Sequence, residues 1–387
     1  MKIIHTGDWH IGKIVNEFSM LEEQKHVLGQ LISIIEKERP DALVVAGDIF
    51  DRSIPPVEAV ELVDEVFSRV LLELKVPILA IAGNHDSAER LSFASRILTN
   101  HGLYIAGIFD GKIHTVTLSD GFGEVDFYML PYTDPRNVRH IYEDNSISTH
   151  DAAMKKMIDS IERNITPGRR KVMVTHGYIT HMGLQAECLS ESERPLSIGG
   201  TDYVSSDYFK MFDYTALGHL HAPQKAGYEN IRYSGSLLKY SFSEVNQKKG
   251  ITVVEIGQNG EASAKHMDLI PGRDMRIIKG PLEELVKPAI YKNTNAEDYV
   301  YAVLTDKGEL IDPISKLRAV YPNIMGLSRE NGSYREDSRT SATDGYKAKS
   351  KLELFREFYC GIQGEDLSSE AEEIMSRIIG EVDREGF

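Results

Sequence analysis

The chain has 387 residues, and at roughly 150 residues per domain this length predicts two or three domains. Its 59 acidic and 44 basic residues give a net charge of −15, which argues against a protein that binds nucleic acid through bulk positive charge. The two cysteines are too few for a disulfide framework, no apolar stretch approaches the ~20 residues that span a bilayer, and the sequence turns polar at His5. We therefore expect a cytoplasmic protein that is neither secreted nor embedded in a membrane.

Residues 1 to about 270 repeat one pattern, in which a short apolar run ends abruptly in a polar cluster. Short, largely β-branched runs that end at a glycine are typical of buried strands. Stretches of helical period lie between several of these runs, and alternating strands and helices favour an α/β architecture. The strand candidates lie in 2–10, 42–48, 77–85, 172–176 and 214–221, and the helical stretches are 21–37, 57–74 and 152–163.

The rest of the chain divides into three segments after Pro271-Gly272, a dipeptide that is typical of a boundary. Residues 271–330 have a β-α-β-α-β pattern, about the smallest unit that can bury a core of its own. Residues 331–350 lack an apolar run and are predicted to be a polar linker. Residues 351–387 form two amphipathic helical stretches with no evident core to cover their apolar face, which favours docking to a partner. That face includes Leu354, Phe355, Phe358, Ile374 and Ile378.

Polar side chains that can bind metals follow five of the predicted strands. The carboxyl ends of strands in an open α/β sheet gather at one rim, so residues that are distant in sequence can share one site. Carboxylate, amide and imidazole donors suit Mn²⁺, Fe²⁺ or Zn²⁺ in a catalytic site, and this set is too large for one ion. Two ions ~4 Å apart can activate water and stabilise the attacking and leaving oxygens of a phosphoester. The residues are Asp8, His10, Asp48, Asp51, Asn84, His85, Asp86, His176, His219 and His221.

The order Asp-x-His, Gly-Asp-x-x-Asp, Gly-Asn-His-Asp, an isolated His and Gly-His-x-His resembles the calcineurin-like metallophosphoesterase superfamily. Further segments are similar to its bacterial SbcD branch, the nuclease subunits of an ATPase complex, and these are 189–194, 198–202, 213–224, 233–244 and 354–359. The resemblance implies an α/β fold with a four-layer α-β-β-α sandwich as the nuclease domain in 1–270. It also implies a small α+β capping domain for DNA-end recognition in 271–330 and a C-terminal helical segment, 351–387, that docks on the ATPase.

The resemblance also implies a role for most residues of the constellation. The ligands of one metal would be Asp8, His10, Asp48 and His221, and those that complete the second metal through the bridging Asp48 would be Asn84, His176 and His219. His85 would bind no metal and would act near the scissile phosphate as proton donor or transition-state stabiliser. Asp86 would orient His85 by accepting its other ring proton.

Members of this family cut DNA with Mn²⁺, as ATP-stimulated exonucleases on double-strand ends and as endonucleases on single strands or hairpins. The resemblance therefore implies two divalent cations, with Mn²⁺ favoured, DNA as substrate and an SbcC-like SMC-family ATPase as partner. It further implies work in DNA repair, recombination and replication at the nucleoid, and a homodimer formed through the nuclease domain. The acidic composition predicts that the isolated chain binds duplex DNA weakly.

Two alternatives stay open beside the nuclease hypothesis. Asp51 and Arg52 complete a Gly-Asp-x-x-Asp-Arg motif that also resembles the phosphatases of this superfamily, in which such an arginine contacts phosphate. A phosphatase or cyclic-nucleotide phosphodiesterase on the same metal core is therefore one alternative, although for Asp51 we favour an ion pair or hydrogen bonds. A catalytically idle scaffold that tethers an ATPase to DNA ends is the other. His181 competes with His176, whose strand-end position favours it as the ligand, and Trp9 is expected to be a core or rim aromatic.

Overall fold

The computed structural model describes residues 1–181, 190–193, 203–292, 294–330 and 368–385, together with residues 352, 355, 356 and 359. The chain separates into two compact units, Met1–Met275 and Arg276–Phe387. None of the described helices is both long and apolar enough to cross a bilayer.

The secondary structure alternates strands and helices, as the hydrophobic pattern predicts. The strands are β1 (Lys2–Thr6), β2 (Ile14–Val15), β3 (Phe18–Ser19), β4 (Ala42–Val45), β5 (Ile78–Ile81), β6 (Leu103–Ala106), β7 (His114–Asp120), β8 (Gly123–Leu130), β9 (Arg170–His176), β10 (Ile179–Thr180), β11 (Val204–Ser205), β12 (Tyr214–Gly218), β13 (Gln224–Lys225), β14 (Ile231–Tyr233), β15 (Gly250–Ile256), β16 (Ala262–Asp268), β17 (Met275–Gly280), β18 (Tyr299–Leu304) and β19 (Ile324–Arg329). The helices are α1 (Leu21–Glu38), α2 (Val57–Ser68), α3 (Ala88–Leu91), α4 (Ser95–Leu98), α5 (Pro135–Tyr142), α6 (His150–Glu162), α7 (Leu282–Leu285), α8 (Pro288–Tyr291), α9 (Pro313–Arg318) and α10 (Ser369–Glu385). A π-helical turn, Arg69–Glu73, extends α2, and 3₁₀ turns lie at Thr99–His101, Ser206–Phe209 and Phe242–Glu244.

The first unit contains two six-stranded sheets that pack face to face. The first sheet has the order β16-β15-β1-β4-β5-β6, in which β1, β4, β5 and β6 are parallel. The second has the order β13-β14-β12-β9-β8-β7, in which β14, β12, β9 and β8 are parallel. Side chains such as Ile3, Val44 and Leu79 from one sheet meet Phe127 and Val174 from the other. This shared core explains the continuous apolar runs, because these strands are buried on both faces.

Helices cover the outer face of each sheet. On the second sheet, Met154, Met157 and Ile158 of α6 pack with Met173 of β9, and the side chain of Thr149 caps the start of α6 by accepting the N–H of Ala152. On the first sheet, α1 and α2 connect successive parallel strands, and the usual right-handed crossover places both helices on the same face. That face is the outer one, because the inner face belongs to the core between the sheets. The predicted four-layer α-β-β-α sandwich is therefore confirmed.

The second unit has a three-stranded sheet of order β17-β18-β19 with the short helices α7, α8 and α9. Its own core includes Leu285, Val300 and Tyr321, so the β-α-β-α-β pattern predicted for 271–330 matches the observed elements. The compact unit begins at Arg276 rather than at the predicted boundary after residue 270. Residues up to Met275 belong to the first unit because the N–H of Gly272 donates to the buried Glu23 carboxylate at 2.8 Å. The predicted linker 331–350 lies outside the described residues.

Candidate metal centre

The ends of strands from both sheets of the first unit meet at one rim. From the first sheet come residues that follow β1, β4 and β5, and from the second sheet come residues at the ends of β9 and β12. The predicted ligands at these positions are, in chain order, Asp8, His10, Asp48, Asn84, His176, His219 and His221. The two sheets are joined directly at this point, because the main-chain N–H of His219 donates to Asp8 Oδ1 at 2.9 Å across 211 positions of sequence.

Two glycines at the rim allow neighbouring loops to approach each other closely. A Cβ on Gly83 would lie 2.2 Å from Asp48 Oδ1, and one on Gly218 would lie 1.9 Å from the carbonyl oxygen of Ala46, so any side chain there would force neighbouring loops apart. Several of the predicted ligands adopt a positive φ, a conformation that costs a non-glycine residue ~1–3 kcal/mol and persists where function requires it. They are Asp8 (52°), His10 (46°), Asp48 (50°) and His219 (112°).

Three groups of described side chains at the rim could each hold a cation, and two of them consist only of predicted ligands, whereas the third is His10, Asp51 and His85. In the first group, Asp8, His10 and His221 bring ligand atoms within 4.8 Å of one another, and His10 Nε2 lies 3.0 Å from His221 Nε2. In the second group, Asp8, Asp48 and His176 do the same. Asp48 Oδ2 lies 3.7 Å from His10 Nε2 and 3.4 Å from His176 Nε2. Both carboxylates are therefore placed where two cations could share them, and Asp48 as the bridge stays a prediction.

Asn84 and His219 lie at the second group. Asn84 Oδ1 is 2.9 Å from His176 Nε2 and 3.3 Å from His219 Nδ1, so an amide oxygen and two imidazoles converge. His176 Nδ1 lies 2.9 Å from the carbonyl oxygen of Ala46, which accepts its proton and leaves Nε2 for a metal. The structure thus brings together all the residues that sequence analysis proposed as ligands.

The charges of the rim fit bound cations. Burial raises the pKa of Asp8 well above its usual range, and the Asp48 charge adds to this effect. Burial alone would also raise the pKa of Asp48, but the His176 ring beside it holds that pKa well below the usual range. Burial opposes a proton on His176, yet the neighbouring Asp48 raises its pKa to about 9. A proton on His176 thus balances the Asp48 charge, and a divalent cation can take the place of that proton.

The remaining imidazoles have the protonation state that metals require. Burial lowers the pKa of His10 and of His219 well below the usual range, so both rings are neutral and offer a lone pair. Together with the carboxylates and the amide, they form an oxygen and nitrogen donor set that suits Mn²⁺, Fe²⁺ or Zn²⁺. The residues present therefore fit two divalent cations.

Sequence reasoning missed a buried network behind His221. The Nδ1 of His221 lies 2.7 Å from Ser192 Oγ and 3.3 Å from a carboxylate oxygen of Glu244. Glu244 is fully buried and pairs at 2.7 Å with the buried Lys249, whose Nζ also donates to the His221 carbonyl at 2.8 Å. A Nδ1–H held in this way leaves Nε2 of His221 for a metal. Ser192 and Glu244 lie in segments that carry the family resemblance, but spacing alone does not tell which polar residue faces inward.

The predicted contact between Asp86 and the ring of His85 is wrong. The Nδ1 of His85 lies 2.8 Å from the main-chain carbonyl oxygen of Asp51, which accepts its proton. The Asp86 carboxylate instead turns into the space between the loops after β4 and β5, where three main-chain donors converge. These donors, at 2.9–3.1 Å, are the N–H groups of Ile49, Phe50 and Gly83. Asp86 therefore holds the two ligand loops together, and the loop of Asp51 orients His85.

The other residues singled out by sequence have simpler surroundings. Asp51 forms an ion pair with Lys13 at 2.8 Å, which confirms the favoured interpretation. Arg52 lies 3.9 Å from Asp51 with its side chain 55% exposed, and its contact with phosphate stays a prediction. Trp9 is fully buried, as expected of a core aromatic. His181 belongs to none of the three groups found among the described residues.

The C-terminal segment is described in part. Ile374 and Ile378 lie one turn apart on α10, and both are exposed. The ring of Phe355 lies 6.3 Å from that of Tyr359. The other two residues predicted to bind a partner, Leu354 and Phe358, lie outside the described residues.

Comparison with protein families matches residues 1–223 to the calcineurin-like phosphoesterases and residues 271–360 to the type 5 capsule protein repressor C-terminal domain. The SbcD component of the SbcCD nuclease from Staphylococcus epidermidis is 37% identical to this chain over 357 residues, which cover 90% of this chain and 93% of that protein.

Two solved structures are similar to this chain at low sequence identity. A dimetal phosphatase from Danio rerio has a TM-score of 0.41 and 11% identity, covering 70% of this chain and 97% of its own. The protein TT1561 of Thermus thermophilus has a TM-score of 0.38 and 12% identity, and the match covers 68% of this chain and 98% of that protein.

Proposed function

Because the chain belongs to the calcineurin-like phosphoesterase family, and within it to the SbcD nuclease subunits, we propose that it hydrolyses DNA with two divalent cations, of which Mn²⁺ is favoured. Its family makes it a metal-dependent phosphodiesterase. The observation that carries the proposal is the pair of ligand groups that share Asp8, with Asp48 Oδ2 within 3.7 Å of a histidine in each group. We propose that it acts with an SbcC-type ATPase on double-strand ends, single strands and hairpins, in DNA repair, recombination and replication.

The mechanism follows from where the side chains are held. Divalent cations bound by the two groups would activate a water molecule and neutralise the oxygens of the scissile phosphate. His85 is tied to the metal centre because its main-chain N–H donates to Asp48 Oδ1 at 2.8 Å. Its Nδ1–H is held by the Asp51 carbonyl, so a protonated His85 ring can transfer only the proton on Nε2. His85 would therefore protonate the leaving 3′ oxygen.

Net charge sets what the isolated chain can bind. Duplex affinity comes mainly from neutralised phosphates, and a chain of charge −15 lacks the cations for this. Two divalent ions would add about four positive charges at the site. We expect weak DNA binding until the ATPase partner supplies the rest of the groove. A filter-binding titration at physiological salt that finds tight, metal-free duplex binding would contradict this expectation.

The decisive experiment separates metal binding from proton transfer. His85→Gln should lower hairpin cleavage by ~10²-fold or more while two ions per chain remain bound, because a general acid contributes about that factor. Asp48→Ala should lose both ions together. His101→Gln, at an exposed turn, is the matched control and should change neither quantity. Full activity of His85→Gln would remove His85 from the mechanism.

One observation favours the phosphatase alternative: the exposed Arg52 next to Asp51, where a phosphate could reach it. With Mn²⁺ present, p-nitrophenyl phosphate, bis(p-nitrophenyl) phosphate and a DNA hairpin distinguish the two activities. A nuclease cleaves the diester and the hairpin, and a phosphatase prefers the monoester. Absence of turnover on all three, with the ATPase partner also added, would instead favour the idle scaffold.

Exposed apolar side chains support a homodimer through the first unit. They lie on α2, on the loop before it, and on or next to the short helix α4, and exposed large apolar side chains are typical of interfaces. The residues are Ile54, Val57, Val60, Phe93 and Ile97. Phe93→Glu should shift the molar mass measured by light scattering from dimer to monomer. Ile311→Glu in the second unit replaces an equally exposed side chain, 82% in both cases, and should leave the mass unchanged.

The exposed pair Ile374 and Ile378 supports docking of α10 on the ATPase partner, because neighbours one turn apart form an apolar stripe for a groove. Changing both to Asp should abolish co-purification with the SbcC-type ATPase and leave hydrolysis of the small diester intact. Ser376→Asp, an exposed position on the same helix, is the control that should still co-purify. Retained binding by the double variant would place the docking surface elsewhere.

A further inference from the structure

A lysine at the edge of the metal centre holds the loop to which His85 is bonded. Lys13 Nζ lies 2.8 Å from Asp51 Oδ1, and the two side chains are only 13% and 14% exposed. The same Nζ lies 5.6 Å from the centre of the Tyr240 ring, within range of a cation–π contact. An ion pair with so little exposure is costly to break, because the remaining charge stays buried. Lys13 therefore sets the direction of the Asp51 side chain.

Asp51 serves the site through its main chain. Its carbonyl oxygen accepts the Nδ1–H of His85 at 2.8 Å, and its N–H donates to the carbonyl of Ile11 at 3.2 Å. In the same loop, the N–H of Lys13 donates to the carbonyl of His10 at 3.0 Å. These bonds and the ion pair tie the loop after β1 to the loop after β4. Any shift of Asp51 therefore moves the hydrogen-bond acceptor of His85.

A competing partner for the Asp51 carboxylate lies nearby. Asp51 Oδ1 is 3.7 Å from the Nδ1 of His10, a buried nitrogen that has no hydrogen-bond partner among the described residues. At 3.7 Å the two atoms are too far apart for a hydrogen bond. Without the Lys13 ammonium, the Asp51 carboxylate would turn toward this nitrogen, because a buried donor without a hydrogen-bond partner costs ~1–3 kcal/mol. That movement would pull the Asp51 peptide away from His85.

We infer that Lys13 is a positioning residue for proton transfer, which keeps the Asp51 carbonyl where it holds the His85 ring. The inference rests on the proposed function, since His85 has a leaving group to protonate only if the chain hydrolyses phosphodiesters. The proposed role of Lys13 involves no contact with substrate or metal. Its effect must therefore be on the rate of the chemical step and not on metal content or substrate affinity.

The test uses the full chain loaded with Mn²⁺ and the DNA hairpin as substrate, because its leaving 3′ alkoxide, unlike p-nitrophenolate, needs the proton that His85 supplies. Lys13→Met should lower kcat ~10-fold, since a displacement of about 1 Å at a catalytic group can cost up to 10²-fold. KM and the count of two ions per chain should stay unchanged, and Lys13→Arg should restore most of the rate. Lys239→Met is the control, because Lys239 is also 13% exposed and forms an ion pair, at 2.9 Å with Asp274, but should not affect kcat.

A double variant decides whether Lys13 acts through His85. In a His85→Gln background, Lys13→Met should cause no further loss, because both changes remove the same contribution. The inference would be overturned if the double variant loses the product of the two single losses in kcat. It would also be overturned if Lys13→Met leaves kcat unchanged or binds fewer than two ions per chain. If Lys13→Met does not fold, Lys13→Gln replaces it with the same expected outcomes. An inactive wild type that binds two ions would instead overturn the proposed function, and the two failures are thereby distinguished.

Discussion

Replacing Glu244 by Gln tests whether a buried carboxylate orients a metal ligand. Glu244 accepts hydrogen bonds from Lys249 Nζ at 2.7 Å and from the main-chain N–H of Tyr240 at 3.1 Å, and it lies 3.3 Å from His221 Nδ1. Burial by itself would raise the pKa of Glu244, but Lys249 and His221 hold it well below the usual range, so the carboxylate is charged. Glutamine keeps the size of the side chain and removes the charge.

Two separate losses are expected from this change. Breaking a buried ion pair by neutralising one partner costs ~3–5 kcal/mol, and we expect about 3 because the amide oxygen still accepts one bond from Lys249. At roughly 2–4 °C per kcal/mol, the melting temperature should fall by about 6–12 °C. Loss of the partner that fixes His221 should weaken Mn²⁺ binding ~10–100-fold, the usual effect of such a change.

Thermal unfolding of the metal-free protein and calorimetric titration with Mn²⁺ measure these two losses independently. Asp120→Asn is the control for the loss of stability, since it breaks the buried ion pair with Arg170, which contacts no predicted metal ligand, so the Kd for Mn²⁺ should stay unchanged. The reasoning is refuted if Glu244→Gln melts at a lower temperature but binds Mn²⁺ as tightly as wild type. In that case Glu244 is only the counter-ion of Lys249.

Two other substitutions probe the rim and the scaffold behind it. Gly83→Ala would place a Cβ 2.2 Å from Asp48 Oδ1, so we expect elemental analysis to find neither cation bound, whereas Gly121→Ala, with open space around it, should keep both. Asp120→Asn breaks the buried ion pair with Arg170 and should cost ~3 kcal/mol of unfolding free energy at pH 7. The Arg170 guanidinium holds the pKa of Asp120 well below its usual range, so this contribution is complete above the unfolded pKa of about 3.9 and is lost as the pH falls below it. In urea unfolding, the gap between wild type and Asp120→Asn should therefore shrink between pH 4 and pH 2, and a constant gap would contradict the assignment.

Local signals in the sequence were enough for several of the elements and for the polar residues that meet at the rim. The helices predicted at 21–37 and 152–163 match α1 and α6 within two residues, because amphipathic period and flanking turns are short-range properties. The strand-end clusters were found for the same reason, since four of the five are a glycine followed by polar residues and the fifth, His176, directly precedes a glycine. Sequence order and the carboxyl-end rule then predicted that they share a rim.

Only the packing of two sheets decided how those residues touch. Asp86 holds main-chain donors of two loops, and the acceptor for His85 is a carbonyl that no pattern of side chains reveals. The Glu244 and Lys249 pair lies behind His221 because the chain that follows β14 returns to the segment that follows β12. Contacts of this kind depend on where segments that are far apart in sequence lie in space and on which side chains are buried. The spacing of residues along the sequence gives neither.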